Sequence, residues 1–165
     1  MSTDWAKNWK KHQEWQKPAV RLVSDLFGSR GWSSVEKPLN EKLARKYFWN
    51  GPTLLEAGPS EIPVWVLREQ AHSSPWTISE EWSSWAEPDE YCALYALVGW
   101  ELTEDAVWFI DRESLWVDLR KEINDERENM YHQSGYVEPI FVSRGMDLSK
   151  YKENYAIAKK ALHIR

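Results

Sequence analysis

"EYCALYALVGWELTEDAVWFID", residues 90–111, admits two readings, and the choice between them decides the fold. With a helical period, residues 89–98 form a helix that Gly99 closes. As extended chain, "VGWEL" and "AVWFI" become the arms of a hairpin and "TED" its polar turn. The second reading accounts for all three pieces at once and sets strand character from about Leu94 onward.

Toward the C-terminus, Asp111 is placed to cap a helix in which Leu115, Leu119 and Ile123 form an apolar stripe and "NDEREN" is a solvated end. "EPIFVS" reads as a strand and Arg144-Gly145 as a turn. Asp147 is then the cap of a last helix that turns Tyr151, Tyr155, Ala158 and Leu162 inward. "LHIR" ends the chain as a short strand or a frayed end.

Upstream, "SPWTISEEWSSWAEPDEY", residues 74–91, holds Thr77 three positions before Glu80, the pattern of a capping box. A helix starting there brings Ile78, Trp82 and Trp85 onto one face, with Trp82 as core and Trp76 left outside as a surface anchor. "TLLEAGPSEIPVWVLRE" reads as two strands joined around Gly58-Pro59, and "LNEKLARKYFWN" as a short helix. Asp4 caps a first helix with Trp5 and Trp9 one turn apart, and Pro18 interrupts it or opens a second helix that stops at Gly28. The order of elements predicts an α+β fold: one domain over residues 1–165, helices on a mostly antiparallel sheet, and a C-terminal strand–helix unit. Residues 1–16 form a peripheral basic helix in this scheme.

The composition sets limits on function. A chain of 165 residues with 42% hydrophobic and 28% charged side chains is globular, and it has no apolar run of the roughly 20 residues that a spanning helix needs. The polar N-terminus lacks the apolar stretch of a secretory signal, and Cys92 is the only cysteine, which points to a reducing, cytoplasmic setting. The net charge of −5 is unevenly spread. Residues 1–50 carry ten Lys and Arg against five acids, whereas residues 80–128 carry fifteen acids against four bases. Such an acidic middle repels phosphates and argues against a nucleic-acid partner.

The unusual residue is tryptophan, with 12 copies. Trp65, Trp100, Trp108 and Trp116 lie in apolar patterns and are expected in the core. Trp76 and Trp85 are candidate partner contacts, because tryptophan is favoured as an interface anchor. At the N-terminus Trp5, Trp9 and Trp15 alternate with Lys7, Lys10, Lys11 and Lys17, a pattern suited to an acidic partner, with a membrane surface less favoured. Trp5, Trp9, Lys10 and Lys11 therefore join the candidate partner surface. Arg144, at a turn before a helix start, is a candidate anion contact.

No catalytic signature is present. The four histidines have no metal-ligand spacing, there is no GxSxG, and no glycine-rich phosphate loop occurs. Cys92 reads as a small buried hydrophobe rather than a nucleophile. Neither a cofactor nor a metal is expected. The sequence thus predicts a non-enzymatic, intracellular protein-binding module, of inhibitor, immunity or adaptor type, that uses exposed tryptophans and opposed charges. The alternative is a metal-dependent phosphoester hydrolase, in which Glu101, Asp105, Asp111 and Glu113 converge on Mg²⁺. Carboxylate geometry separates the two.

Overall fold

Three unbroken apolar runs, "VWVL" at 64–67, "LYALV" at 94–98 and "VWFI" at 107–110, become neighbouring strands of one sheet, and the remaining elements cover both of its faces. The computed structural model describes residues 2–37, 53–71, 74–81, 93–115 and 137–165. In chain order its elements are α1 (Ser2–Ser29), β1 (Ser34–Lys37), β2 (Thr53–Ala57), β3 (Ile62–Arg68), β4 (Trp76–Glu81), β5 (Leu94–Val98), β6 (Val107–Asp111), α2 (Arg112–Ser114), β7 (Val137–Val142) and α3 (Tyr155–Ala161). Five strands make a mixed sheet in the order β1-β2-β3-β5-β6, antiparallel except for the β3–β5 pair. β4 and β7 pair antiparallel in a second, two-stranded sheet. The fold is α+β with helices on a mostly antiparallel sheet and a C-terminal strand and helix, as the sequence predicts.

Alternation along the strands separates two cores. Val64 and Val66 of β3, Leu94, Ala96 and Val98 of β5, and Val107 and Phe109 of β6 face the helices. There they meet Ala19, Val20, Val23, Leu26 and Phe27 of α1 and Ala158 of α3. Trp65, Leu67, Tyr95, Leu97, Trp108 and Ile110 face the other way, onto Trp76 and Ile78 of β4, Val142 of β7, and Leu115, Leu148 and Tyr151. The aromatic rings interlock: Trp65 meets Tyr95 edge-on with centroids 6.1 Å apart, and Phe27 stacks on Phe109 at 5.7 Å.

Several expectations hold. β2 and β3 are joined across Gly58-Pro59, with Ala57 opposite Ile62. β5 begins at Leu94, and β7 covers most of "EPIFVS". Asp111 caps α2, its carboxylate accepting the Ser114 N–H at 3.4 Å.

Others are corrected. Residues 76–81 form strand β4 and not a capped helix, so the Thr77–Glu80 capping box does not exist. Trp76, expected as a surface anchor, is 1% exposed. Trp100, expected in the core, is 45% exposed, because β5 stops at Val98 and the turn to β6 begins at Gly99. α1 runs through Pro18 as one helix, so residues 2–16 are its first half and not a separate element. It passes Gly28 and ends at Ser29, where Gly31, at φ 77°, lets the Trp32 N–H reach the Phe27 carbonyl at 2.9 Å. Asp147 binds Ser149 in a tight turn, and Asn154 caps α3 instead, accepting the Ile157 N–H at 3.0 Å. The expected helix over 39–50, the Leu119–Ile123 stripe, and Trp82, Trp85, Cys92 and Trp116 lie outside the described residues. Among the described residues, no helix is long and apolar enough to cross a membrane.

Candidate functional site

Parallel pairing sets the carboxyl ends of β3 and β5 side by side, and functional groups from several segments gather there. At the end of β3, alternation turns Arg68 toward α1 and Glu69 toward the second sheet. Glu69 is fully buried, and a buried carboxylate is costly unless paired and hydrogen-bonded. It is both. Arg144, in the turn after β7, donates from Nε to Glu69 Oε2 at 3.1 Å, and its Nη2 lies 2.9 Å from Oε1. The Trp100 N–H adds a third donor to Oε1 at 3.2 Å.

Arg144 also spans outward. Its Nη1 donates to Glu101 Oε2 at 2.8 Å, and Nη2 bonds Glu101 Oε1. The hydrogen bond to Glu101 raises the Arg144 pKa above its ordinary value; burial opposes this, and Glu69 adds to the rise. Beneath the guanidinium lies the Trp108 ring, 5.1 Å from Cζ, and against Trp108 packs Trp76, 5.3 Å away. Trp76 closes the stack by donating from Nε1 to the Val98 carbonyl at 3.1 Å. Gly99 lets this happen: a Cβ there would overlap Arg144 Nη2 and Glu101 Oε1. Trp100 is thus held at its backbone by a buried acid and flanked by an ion pair, with 45% of its surface in solvent.

On the helix face, Arg68 lies over the Trp15 ring at 4.8 Å and donates from Nη1 to the Trp15 carbonyl at 2.6 Å. His12 packs beside Trp15 at 5.7 Å. These residues, with Gln16, Leu67, Gln70, Pro75 and Trp76, line a notch of about 40 Å³.

Lys10 and Lys11 are exposed on α1. Trp5 and Trp9 are on the same helix, but their side chains, like Trp85, lie outside the described residues. Trp76 belongs to the core rather than to a partner surface. Arg144, expected to contact an anion, contacts two, both from its own chain. The four carboxylates of the metal reading do not converge. Glu101 and Asp105 sit at one end of β6, and Asp111 and Glu113 at the other, roughly 13 Å of strand away. Each of the first three is engaged locally: Glu101 with Arg144, Asp105 with the Thr103 hydroxyl at 2.6 Å, Asp111 as the α2 cap. Thr103 holds the Asp105 pKa below its ordinary value. Among the described residues no three His, Cys, Asp or Glu side chains gather as a metal site. Asp111 and Glu113 instead border a cleft of about 660 Å³ that they share with Arg112, Lys150 and Lys160.

Glu69 is missing from the sequence reading, and Gly99 figures there only as a possible helix stop. Glu69 had a signal, since in "VWVLRE" it falls in phase with the buried Trp65 and Leu67. Gly99 had none, because its role depends on an arginine 45 positions away. No family model, curated protein or solved structure matches this chain.

Proposed function

We propose that the protein is a non-enzymatic, cytoplasmic protein-binding module, an inhibitor, immunity-type or adaptor protein, that engages its partner at the carboxyl ends of β3 and β5. The observation that carries this reading is Trp100, a large aromatic side chain 45% exposed on a turn that a buried ion pair holds in place. Interface energy concentrates in such anchors, and an anchor that is already ordered loses little entropy on binding. Lys10 and Lys11, exposed on α1, supply opposed charge for steering. The single cysteine, which allows no internal disulfide, favours the cytoplasmic setting.

The test is capture of a partner by the wild-type chain and by Trp100→Ala, each followed by calorimetric titration with the captured protein. The expected result is a loss of affinity of at least about tenfold for Trp100→Ala, as for a hot-spot tryptophan, in a chain that still unfolds cooperatively. Equal affinity for the two chains would remove this surface from the binding reading.

A further inference from the structure

Arg68 and Glu69 are neighbours in sequence with opposite charges on opposite faces of the sheet, and among the described residues only Glu69 has an ion-pair partner. Glu69 has Arg144. Arg68 is half-buried, and among the described residues no carboxylate lies beside it: its contacts there are the Trp15 ring and the Trp15 carbonyl. Its Nε is enclosed and has no acceptor. Burial lowers its pKa. A second unpartnered group lines the same notch. Gln16 is 3% exposed, and its Oε1 has no donor. Two such groups in one small cavity are uncommon in folded proteins.

We propose that this notch seats a carboxylate carried by an acidic segment of the partner protein, with Arg68 as the receiving cation and Gln16 as a second donor. The inference rests on the reading of this end of the sheet as partner-facing. A volume of about 40 Å³ has room for no more than a few waters, so the notch takes one side-chain terminus and not a whole ligand. Arginine suits a planar carboxylate, because its fork offers two parallel N–H groups, and Nη1 is already used by Trp15. Turning over the Gln16 amide exchanges Oε1 for Nε2 and so presents a donor to the incoming oxygen atoms. The surroundings fit an acidic segment. Lys7, Lys10, Lys11 and Lys17 are exposed on α1 within three turns of the notch, and over residues 7–17 they face a single acid, Glu14.

The experiment follows the Arg68 Nε–H and Gln16 side-chain amide resonances of the folded chain while an oligoglutamate peptide is added at low salt. A saturable shift of both is expected, absent with an uncharged glycine-serine peptide. Arg68→Gln should abolish it, and so should Gln16→Leu, which fills the notch and removes the unpaired acceptor without threatening the fold. Trp100→Ala should keep the response. A partner that needs Trp100 while oligoglutamate leaves Arg68 unmoved would sink this inference alone. A full oligoglutamate response with a Trp100-independent partner would sink the Trp100 binding surface alone. Shifts confined to the α1 lysines, or an equal response to inorganic phosphate, would overturn the carboxylate assignment.

Discussion

An indole N–H inside a protein needs an acceptor, and Trp76 finds the Val98 carbonyl at the point where β5 ends. The bond ties the second sheet to the first, and the ring fills the space between Trp108 and the strand. Trp76→Ala should therefore cost about 3–5 kcal/mol, the range for emptying a large buried aromatic site. Trp100→Ala, at a half-exposed turn position, should cost less, about 1 kcal/mol. Urea unfolding followed by far-UV circular dichroism measures both, and equal midpoint shifts would mean that Trp100 packs as tightly as Trp76. The sequence reading assigned these two residues the opposite way. For Trp76 the information was present: in "WTIS" the apolar letters alternate, and Trp76 and Ile78 are both buried. For Trp100 it was not, because "GWEL" looks like a strand end, and only the capture of its backbone N–H by Glu69, 31 residues earlier, makes it part of the turn.

Among the elements, those formed by local contacts were legible and those formed by distant ones were not. The β2–β3 turn at Gly58-Pro59, the start of β5 and the Asp111 cap depend on residues close in sequence. β4 depends on β7, whose Val142 pairs with Trp76 across 66 positions, and a four-letter capping pattern outweighed a partner with no local trace. Pro139 is tolerated in β7 because a two-stranded sheet consists of edge strands only. Pro18 misled in the other direction. A proline inside a helix removes one hydrogen bond and crowds the carbonyl four residues back. α1 nevertheless continues, because Gln16, Ala19, Val20 and Val23 on either side of it are buried, and that packing outweighs the backbone defect. Pro18 itself points to solvent, so nothing in the packing requires its ring. Pro18→Ala should then raise stability by about 1–3 kcal/mol, restoring the helical bond with some loss of the entropy that proline removes from the unfolded chain. A drop in stability on thermal unfolding would show that the ring holds a bend on which the docking of α1 depends.

At the scale of the whole molecule, the five-stranded sheet is the wall shared by two cores, and β5 is its centre. Every residue of β5 is buried, Leu94, Ala96 and Val98 against the helices and Tyr95 and Leu97 against the second sheet. Its backbone is paired on both sides, parallel to β3 and antiparallel to β6. Opening β5 therefore exposes both cores together, and no partial unfolding that spares either can release its amides. Amide exchange in β5 should proceed only through global unfolding, with the same free energy as the equilibrium denaturant transition. β1 differs: it is an edge strand with Val35 61% exposed, and its amides should exchange through local opening well below that value. Exchange measured across a series of sub-denaturing urea concentrations would separate the two, since local opening is nearly independent of urea whereas global unfolding is not. If β5 exchanged below the global value, the two cores would unfold separately. The platform under Trp100 would then lose its rigidity, because Gly99 and Glu69 are both hydrogen-bonded into the end of β5 and its turn. Retention of the global value would place Trp100 and Arg68 on the most stable part of the fold, where an anchor and a receptor for charge keep their geometry before a partner arrives.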